Sequence, residues 1–541
     1  MEILIVVPRY SDKYTENFDY LFPIGLSYIS AVLKKAKHNV DALNLNHYSG
    51  NTSDILNNKL NRKKYDFVCT GGNALAYSVI EKIIDTTKNH ITKPKIILGG
   101  PILTTMPKLV LEEFGIDFGV IGDGEETVVE LIDSVNSNGN LQSVRGIVYG
   151  DGNQVVVTEK RSPIENLDSI PFPDYEGLEF EKQLDNSHCN FLIWTTLLDR
   201  PRVYPLLGSR SCPFQCTFCY HYGHYRKRSI KNIMSEIEMA VDKYDANFLQ
   251  IYDDCFSLDK KRTKEFCSEI KNLMKMKEKD IKWFCQVMVC HVDRDLLHLL
   301  KDAGCTTVSY GFESFSPAVL KSMRKAIKPE QIDFAFHETI RQKMNVAATF
   351  IFGDVAETNE TAKETLDWWI GNAEGQVRLT FVMPYPGSRI YEHCLQKGLI
   401  KDELLFVKER LREGAQSYEY LNITDKMSDN DIKKLEKRIL RLTVKHCRYT
   451  VPSEYEVNSL HNYDLRVKCP FCHEFIEYKN LHSDGSKLLF VFEVICRNCF
   501  MRFYVDAPIQ KAIVIGEQFM PRLGFYVEEL STLPHIFSRK K

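Results

Sequence analysis

Cys212, Cys216 and Cys219, in the stretch SRSCPFQCTFCYH, offer three thiolates from one short loop and no fourth. A structural zinc closes with four protein ligands, and an iron–sulfur cluster in an electron carrier is likewise held by four cysteines. A CxxxCxxC triplet therefore predicts a four-iron four-sulfur (4Fe-4S) cluster with one iron open to a substrate molecule. The alternative is three free thiols in a reducing compartment. Four further cysteines form two CxxC pairs, Cys469 with Cys472 in VKCPFCHEF and Cys496 with Cys499 in VICRNCFMRF. Paired knuckles of this kind build a closed tetrahedral site, a zinc ribbon, in which His473 is superfluous as a ligand. The same four thiolates would also suit iron in a rubredoxin-like electron relay, which the ligand set leaves open.

With an aromatic residue, Phe218, just before its last cysteine, the triplet resembles that of the radical S-adenosylmethionine (SAM) superfamily. The resemblance implies that the amino and carboxylate groups of SAM chelate the open iron and that reductive cleavage gives a 5′-deoxyadenosyl radical. GFES, with Glu313 and Ser314, is similar to the superfamily's fourth-strand motif that contacts SAM. IYDDCFSLD, with Asp253 and Asp254, resembles the segment near the methionine end of SAM, and Cys255 directly follows that pair. IFGDVAETNET is similar to a GxPGET stretch, but Val355 and Ala356 stand at the proline and glycine positions, so a different turn is expected there. MPYPGSRIYE matches the usual end of the barrel. Arg226 and Arg228, after the cysteine loop, are candidates for neutralising cluster or SAM charge, or else helix-entry charges.

These residues must be placed by the elements around them. From residue 201 to 400, strand-like runs (PLLGS, NFLQIYDD, WFCQVMV, TTVSYGFES, AATFIFGD, RLTFVMPYPGS) alternate with helices beginning near Ser229, Asp259, Asp293, Pro329 and Thr358. Six such units predict an incomplete parallel (β/α)6 barrel with its chemistry at the carboxyl ends of the strands. Asp253, Asp254, Glu313, Ser314 and Asp354 fall at those ends, where carboxylates can bind an ammonium or ribose hydroxyls. Helix capping is the competing reading for Asp259 and Asp354.

Residues 1–150 show the same alternation, with EILIVVP, VDALNLN, DFVCTG, KIILGG and FGVIGDG as apolar strands. Strands buried on both faces predict a doubly wound α/β sheet that binds its ligand at the strand ends. Glycines cluster there. A sheet of this kind carrying LGGP and then GDGEET, ahead of the hairpin GIVYGDGNQVVV and the linker ENLDSIPFPDY, resembles the flavodoxin-like cobalamin-binding domain of the cobalamin-dependent radical SAM family. The likeness runs from Met1 to about Ile400. It implies cobalamin contacts at Thr70, Gly71, Gly72, Asn73, Gly99, Gly100, Gly122 and Gly124. One departure matters: DxHxxG, which carries a cobalt-binding histidine after the first strand, is replaced by PRYSDKYTENF. His47, in NHYSG, follows the second strand, so the cobalt is expected to lack a protein histidine.

A hairpin end and linker at 151–200, a lysine-rich helical segment at 401–460 and the zinc-ribbon-like region at 461–541 complete the expected organisation. A chain of 541 residues exceeds one core, and roughly three to four domains are expected. A net charge of -2 argues against general attraction to nucleic acid or membrane. No bilayer-length apolar run or leader pattern is evident, so a cytoplasmic protein is expected. Its 16 cysteines are then not a disulfide framework. The family resemblance implies an enzyme holding 4Fe-4S, SAM and cobalamin, with zinc in the ribbon, that methylates an unactivated carbon of a small molecule or peptide. It also implies an external electron donor such as flavodoxin or ferredoxin. Radical cyclisation or rearrangement is the alternative. A non-catalytic cobalamin or zinc-ribbon protein acting on RNA or a regulator is opposed by the intact triplet and the lack of basic excess.

Overall fold

Apolar β-branched runs spaced by amphipathic helices fold as the alternation requires, into parallel sheets covered on both faces. The computed structural model describes residues 1–9, 15–152, 154–411, 420–458, 461–483 and 490–508. In the first sheet β1 (Glu2–Val7), β2 (Asn39–Asn44), β3 (Phe67–Gly71), β4 (Lys95–Gly99) and β5 (Phe118–Val120) are parallel, in the order β2-β1-β3-β4-β5. The antiparallel hairpin β6 (Ile147–Asp151) and β7 (Gln154–Val157) extends it past β5. This is the flavodoxin-like order. Successive side chains of a strand point to opposite faces, so Ile3, Ile5, Phe67 and Ile97 join one core and Leu4, Val6 and Val68 the other. The chain reverses direction of winding between β1 and β3, which opens a crevice at their carboxyl ends.

The second sheet takes β8 (Val203–Leu206), β11 (Phe248–Ile251), β12 (Lys282–Gln286), β13 (Cys305–Glu313), β14 (Asn345–Phe352) and β15 (Val377–Phe381) in the order β15-β14-β13-β12-β11-β8, all parallel. It is a barrel left open between β15 and β8. A short ladder of β9 (Ser209–Arg210) against β10 (Arg226–Lys227) closes the base of the cysteine loop. Ser229, Asp259, Asp293 and Thr358 cap the following helices through their side chains, and Pro329 begins another. Asp259 is thereby a helix cap. On β13 and β14 the alternate residues Val308, Tyr310, Val346, Ala348 and Phe350 are buried in the outer core. Ser309, Gly311, Ala347, Thr349 and Ile351 between them are only half-buried, facing an open lumen. Closed barrels fill that space with side chains. This one keeps a chamber.

After helix Asp429–His446, whose Ile432, Leu435 and Ile439 join the barrel core, come β16 (Tyr449–Thr450), β17 (Pro452–Val457), β18 (Asn462–Lys468), β19 (Phe475–His482), β20 (Val491–Ile495) and β21 (Arg502–Asp506). They form two three-stranded sheets around Tyr463, Tyr478, Phe492 and Phe503. This unit is not a free appendage. Arg502 N–H donates to Gln376 Oε1 at 2.7 Å and Gln376 Nε2 donates to Arg502 O at 2.9 Å, while Asn345 Nδ2 donates to Phe500 O at 3.1 Å. Asn345 opens β14 and Gln376 precedes β15, so the unit docks under the amino ends of the barrel strands. Segment 188–199 completes the seam, with Thr196 Oγ1 accepting from Ile495 N–H at 3.1 Å and Cys189 Sγ donating to Lys479 O at 3.0 Å. Among the described residues no helix is long and apolar enough to cross a membrane.

Candidate active site

The cysteine loop is held in place by backbone at both sides. Thr217 N–H donates to Met323 O and Thr217 O accepts from Ile390 N–H, each at 3.0 Å, so the middle of CTFC is fixed between two barrel loops. Burial pushes the Cys219 thiol up to about 11, helped by Asp254 and the neighbouring Cys216 and Cys212, and opposed by Lys325. Cys212 and Cys216 are raised in the same direction, chiefly by burial. The three thiols thus stand along one rim of the chamber, near enough for Cys212 to act on Cys216 and for both to act on Cys219, a donor set that fits a cluster. Phe218 is half-buried and packs against the core under the first sheet.

The strand-end residues divide. Asp254 is exposed, and its charge acts on Cys212 and Cys219. Asp253 is not available to SAM: it is 1% exposed and accepts from Gly208 N–H at 2.6 Å and Ser209 Oγ at 2.7 Å. Its carboxylate holds β9, and through it the entry to the cysteine loop, so its placement as a cofactor contact is corrected to a positioning one. Ser314 is equally committed, its Oγ 3.1 Å from Thr365 Oγ1 and accepting from Ser316 N–H at 3.1 Å. Glu313 ends β13 at a register shift with φ of 58°, a left-handed conformation unusual outside glycine. That turn brings its carboxylate to Lys325 Nζ at 2.8 Å. The pair lies across Gly311, where a Cβ would come within 2.2 Å of Glu313 Oε1. Lys325, whose charge favours the thiolates of Cys216 and Cys219, carries no recognisable signal in SMRKAIK. Asp354 accepts from Ala356 N–H at 2.9 Å, which holds the turn that lacks the usual proline and glycine.

Arg226 and Arg228 do not reach the cluster rim. Arg226 pairs with Asp123 of GDGEET and donates to Ile164 O at 3.0 Å, and Arg228 pairs with the buried Glu236. Arg210, two residues before Cys212, pairs with both Asp123 and Glu125 and stacks its guanidinium 5.3 Å from the Tyr28 ring. Charge pairs at strand ends thus fasten the first sheet to the cysteine loop. Tyr222 adds a contact of shape: a Cβ on Gly122, whose φ is +80°, would lie 2.2 Å from its ring.

Between these parts lies a cavity of about 680 Å³, and all eight glycine-rich positions, from Thr70 to Gly124, border it. Leu207 and Arg210 of the barrel form part of its wall, while Val7, Cys69, Ile97 and Val120 carry it beside the sheet. A Cβ on Gly71 would lie 2.7 Å from Gly99 O, and one on Gly100, at φ of +86°, 2.9 Å from Gly72 O. The ends of β3 and β4 therefore form a bare backbone ledge, fit for a broad planar ligand with a tail running beside the sheet. His47 is elsewhere. It is 2% exposed, its Nε2 2.9 Å from Tyr20 Oη and its Nδ1 3.3 Å from Glu179 Oε2. Residues 10–14 of the loop that lacks DxHxxG lie outside the described residues. Replacing His47 by alanine is expected to leave cobalamin content and spectrum unchanged while lowering stability by about 1–3 kcal/mol, since buried partners lose hydrogen bonds. Nitrogen hyperfine coupling to cobalt that vanishes in His47→Ala would overturn this.

Comparison with known proteins matches the same division. Residues 18–132 match the B12 binding domain and residues 206–368 the radical SAM superfamily. An anaerobic magnesium-protoporphyrin IX monomethyl ester cyclase of Rubrivivax gelatinosus is 30% identical over 419 residues, 74% of this chain and 71% of that protein. The chain belongs to the cobalamin-dependent radical SAM family. An uncharacterized methyltransferase of Pyrococcus horikoshii is 27% identical over 70% of this chain and 79% of its own length. Among solved structures, TsrM of Kitasatospora setae, a radical SAM methyltransferase, shares the fold with a TM-score of 0.60 at 16% identity, covering 74% of this chain and 77% of that one.

Added to the family's two domains is the four-cysteine site. Cys469, Cys472, Cys496 and Cys499 have their sulfurs within 4.8 Å of one another. Each knuckle repeats one design: Phe471 N–H donates to Cys469 Sγ and Asn498 N–H to Cys496 Sγ, both at 3.4 Å, and His473 and Phe500 take left-handed φ of 64° and 62°. Amide donors stabilise thiolates, and four of them close a tetrahedral shell, which fits zinc. His473 is exposed and outside the group.

Proposed function

We propose that this enzyme methylates an unactivated carbon of a small molecule or peptide held in the barrel chamber. Bound at the two sites, the cluster with SAM supplies a 5′-deoxyadenosyl radical and cobalamin supplies a methyl group. The observation that carries the reading is the shared wall: Arg210 borders the glycine-rich cavity and leads directly into the cysteine loop, so the two sites open toward one space. In this reading Thr70, Gly71, Gly72, Asn73, Gly99, Gly100, Gly122 and Gly124 hold cobalamin, Cys212, Cys216 and Cys219 hold the cluster, and Asp254, Glu313 and Lys325 surround SAM. Asp253 and Ser314 keep the loops that carry these groups in place. Tyr222 and the charge pairs of Asp123 exclude water where the domains meet.

The reducing electron comes, in this proposal, from an external donor of the flavodoxin or ferredoxin type. The ribbon docks at Asn345, at the far end of an eight-residue strand from the cysteine rim. Cyclisation is favoured as the second reading by the Rubrivivax relative. Anaerobic turnover with methyl-deuterated SAM separates the two: methylation adds one labelled methyl in place of hydrogen, with one S-adenosylhomocysteine formed per product. An unlabelled product that has lost hydrogen or is isomeric with its substrate would replace this reading with the second.

A further inference from the structure

The chamber has a charged floor that the family's two domains do not build alone. A cavity of about 550 Å³ lies inside the barrel, bordered by Ser309 and Thr349 on the strands, by Trp194 and by β20 of the ribbon. Trp194 is fixed against one wall, its ring 4.5 Å from that of Phe284 and its Nε1 donating to Gln250 Oε1 at 2.7 Å. The charged residues bordering the cavity are Arg378 of β15 with Glu493 and Arg502 of the ribbon. Arg378 Nη2 donates to Glu493 Oε2 at 2.6 Å, and Arg502 Nη1 lies 3.3 Å from Glu493 Oε1. Among the described residues that line the cavity, two guanidiniums share one carboxylate, so the group carries a net positive charge.

The two cations differ. Arg502 is 6% exposed and tied to Gly375 O and Glu493, and its Nε is buried with no partner. Its charge is opposed by burial and by the like charge of Arg378. Arg378 keeps its side chain 56% exposed, and among the described residues the Glu493 contact is its one hydrogen bond. Arg378 is paired in register with Thr349, and Thr349 with Gly311, the residue over which the Glu313–Lys325 pair lies. Its donors therefore stand on the lumen side of the sheet, two strands across from Gly311. A planar guanidinium with free donors in a partly desolvated cavity is suited to a carboxylate or phosphate, which it can bind through two parallel hydrogen bonds.

We propose that the chamber floor is an anion subsite for the substrate, in which Arg378 receives a carboxylate or phosphate group while Glu493 and Arg502 of the ribbon orient its guanidinium. The ribbon then shapes specificity. This rests on the reading of the chamber as the place of reaction, and it gives the added domain a role distinct from electron transfer and from partner docking.

Binding of small probes to the reconstituted full-length holoenzyme tests it, by calorimetry and by Trp194 emission identified with Trp194→Phe. Benzoate supplies a carboxylate, phenyl phosphate a phosphate ester, and benzamide the neutral shape. At least one anion is expected to bind tenfold or more tighter than benzamide, and the tighter of the two names the group. Arg378→Gln is expected to weaken that anion at least tenfold, with partial recovery in Arg378→Lys. Glu493→Gln, whose amide oxygen can still accept the orienting bond from Arg378 while the competing negative charge is removed, is expected to tighten it several-fold, a change that loss of a merely structural contact would not give. Equal binding of benzoate, phenyl phosphate and benzamide, absence of binding by either anion, or unchanged affinity in Arg378→Gln with normal zinc and cobalamin content would overturn the proposal. Should Arg378→Gln not fold, weaker or unchanged anion binding in Glu493→Gln overturns it as well. Anion binding needs no turnover: selective binding without 5′-deoxyadenosine from wild type would sink the radical reading alone, and the reverse would sink this one alone.

Discussion

Alanine at Cys212, Cys216 or Cys219 is expected to reduce 5′-deoxyadenosine formation to background and to abolish the iron–sulfur spectrum. The loop supplies three thiolates for three irons and leaves one for SAM, so each single loss opens a second site and removes the geometry that SAM chelation needs. The nearest candidate substitute is Cys255, which is fully buried and close enough to act on Cys212 electrostatically. It is fully buried outside the loop, with no surface toward the rim from which to bind an iron. The loop should keep its path in these variants, because Thr217 is held by backbone bonds to Met323 and Ile390 and the β9–β10 ladder closes its base. Zinc content and the thermal transition should therefore match wild type. Anaerobic reconstitution followed by iron and sulfide analysis and chromatographic assay of 5′-deoxyadenosine measures the outcome. Wild-type SAM cleavage by any of the three single variants would end the cluster assignment.

What the sequence reveals about this site is what local chemistry dictates. The CxxxCxxC and CxxC spacings are legible because their ligands lie within a few residues of one another, and the helix starts are legible because caps act on the next turn. Glycines at the ends of β3 and β4 are readable for the same reason: backbone that must approach backbone tolerates no Cβ. The fate of Asp253 is different. Nothing in IYDD distinguishes a carboxylate facing SAM from one facing Ser209, a partner 44 residues earlier, and only the packed fold decides. Arg226 likewise looks like a counter-charge for the cluster until Asp123, 103 residues away, takes it. Lys325 has no motif at all and becomes notable only when Glu313 turns back to meet it. The ribbon is legible as a metal site but not as a floor, because its contacts join Gln376 to Arg502 and Thr196 to Ile495, 126 and 299 residues apart.

Serine at both Cys469 and Cys496 is expected to remove about one zinc per chain and to unfold the ribbon. Each sheet of the ribbon carries one knuckle, so this pair of substitutions weakens both halves of the shell at once. Metal binding of this kind supplies folding free energy on the order of 10 kcal/mol, more than so small a core can replace. The cysteine rim lies at the opposite end of the barrel strands, and its backbone anchors come from barrel loops. Iron content and SAM cleavage without substrate should therefore persist. Product formation should not, because unfolding the ribbon removes Glu493 and Arg502 from beside Arg378 and opens the chamber to water, where a substrate radical is lost to side reactions. The expected signature is an early thermal transition together with 5′-deoxyadenosine that no longer accompanies product. Limited proteolysis cutting first after residue 446 would locate the unfolded part. Iron instead of zinc in the wild-type site, or a folded double variant that keeps its cluster but accepts no electron, would instead make the ribbon an electron relay. Undiminished product formation from a variant whose ribbon is cleaved away would deny it any part in the chamber.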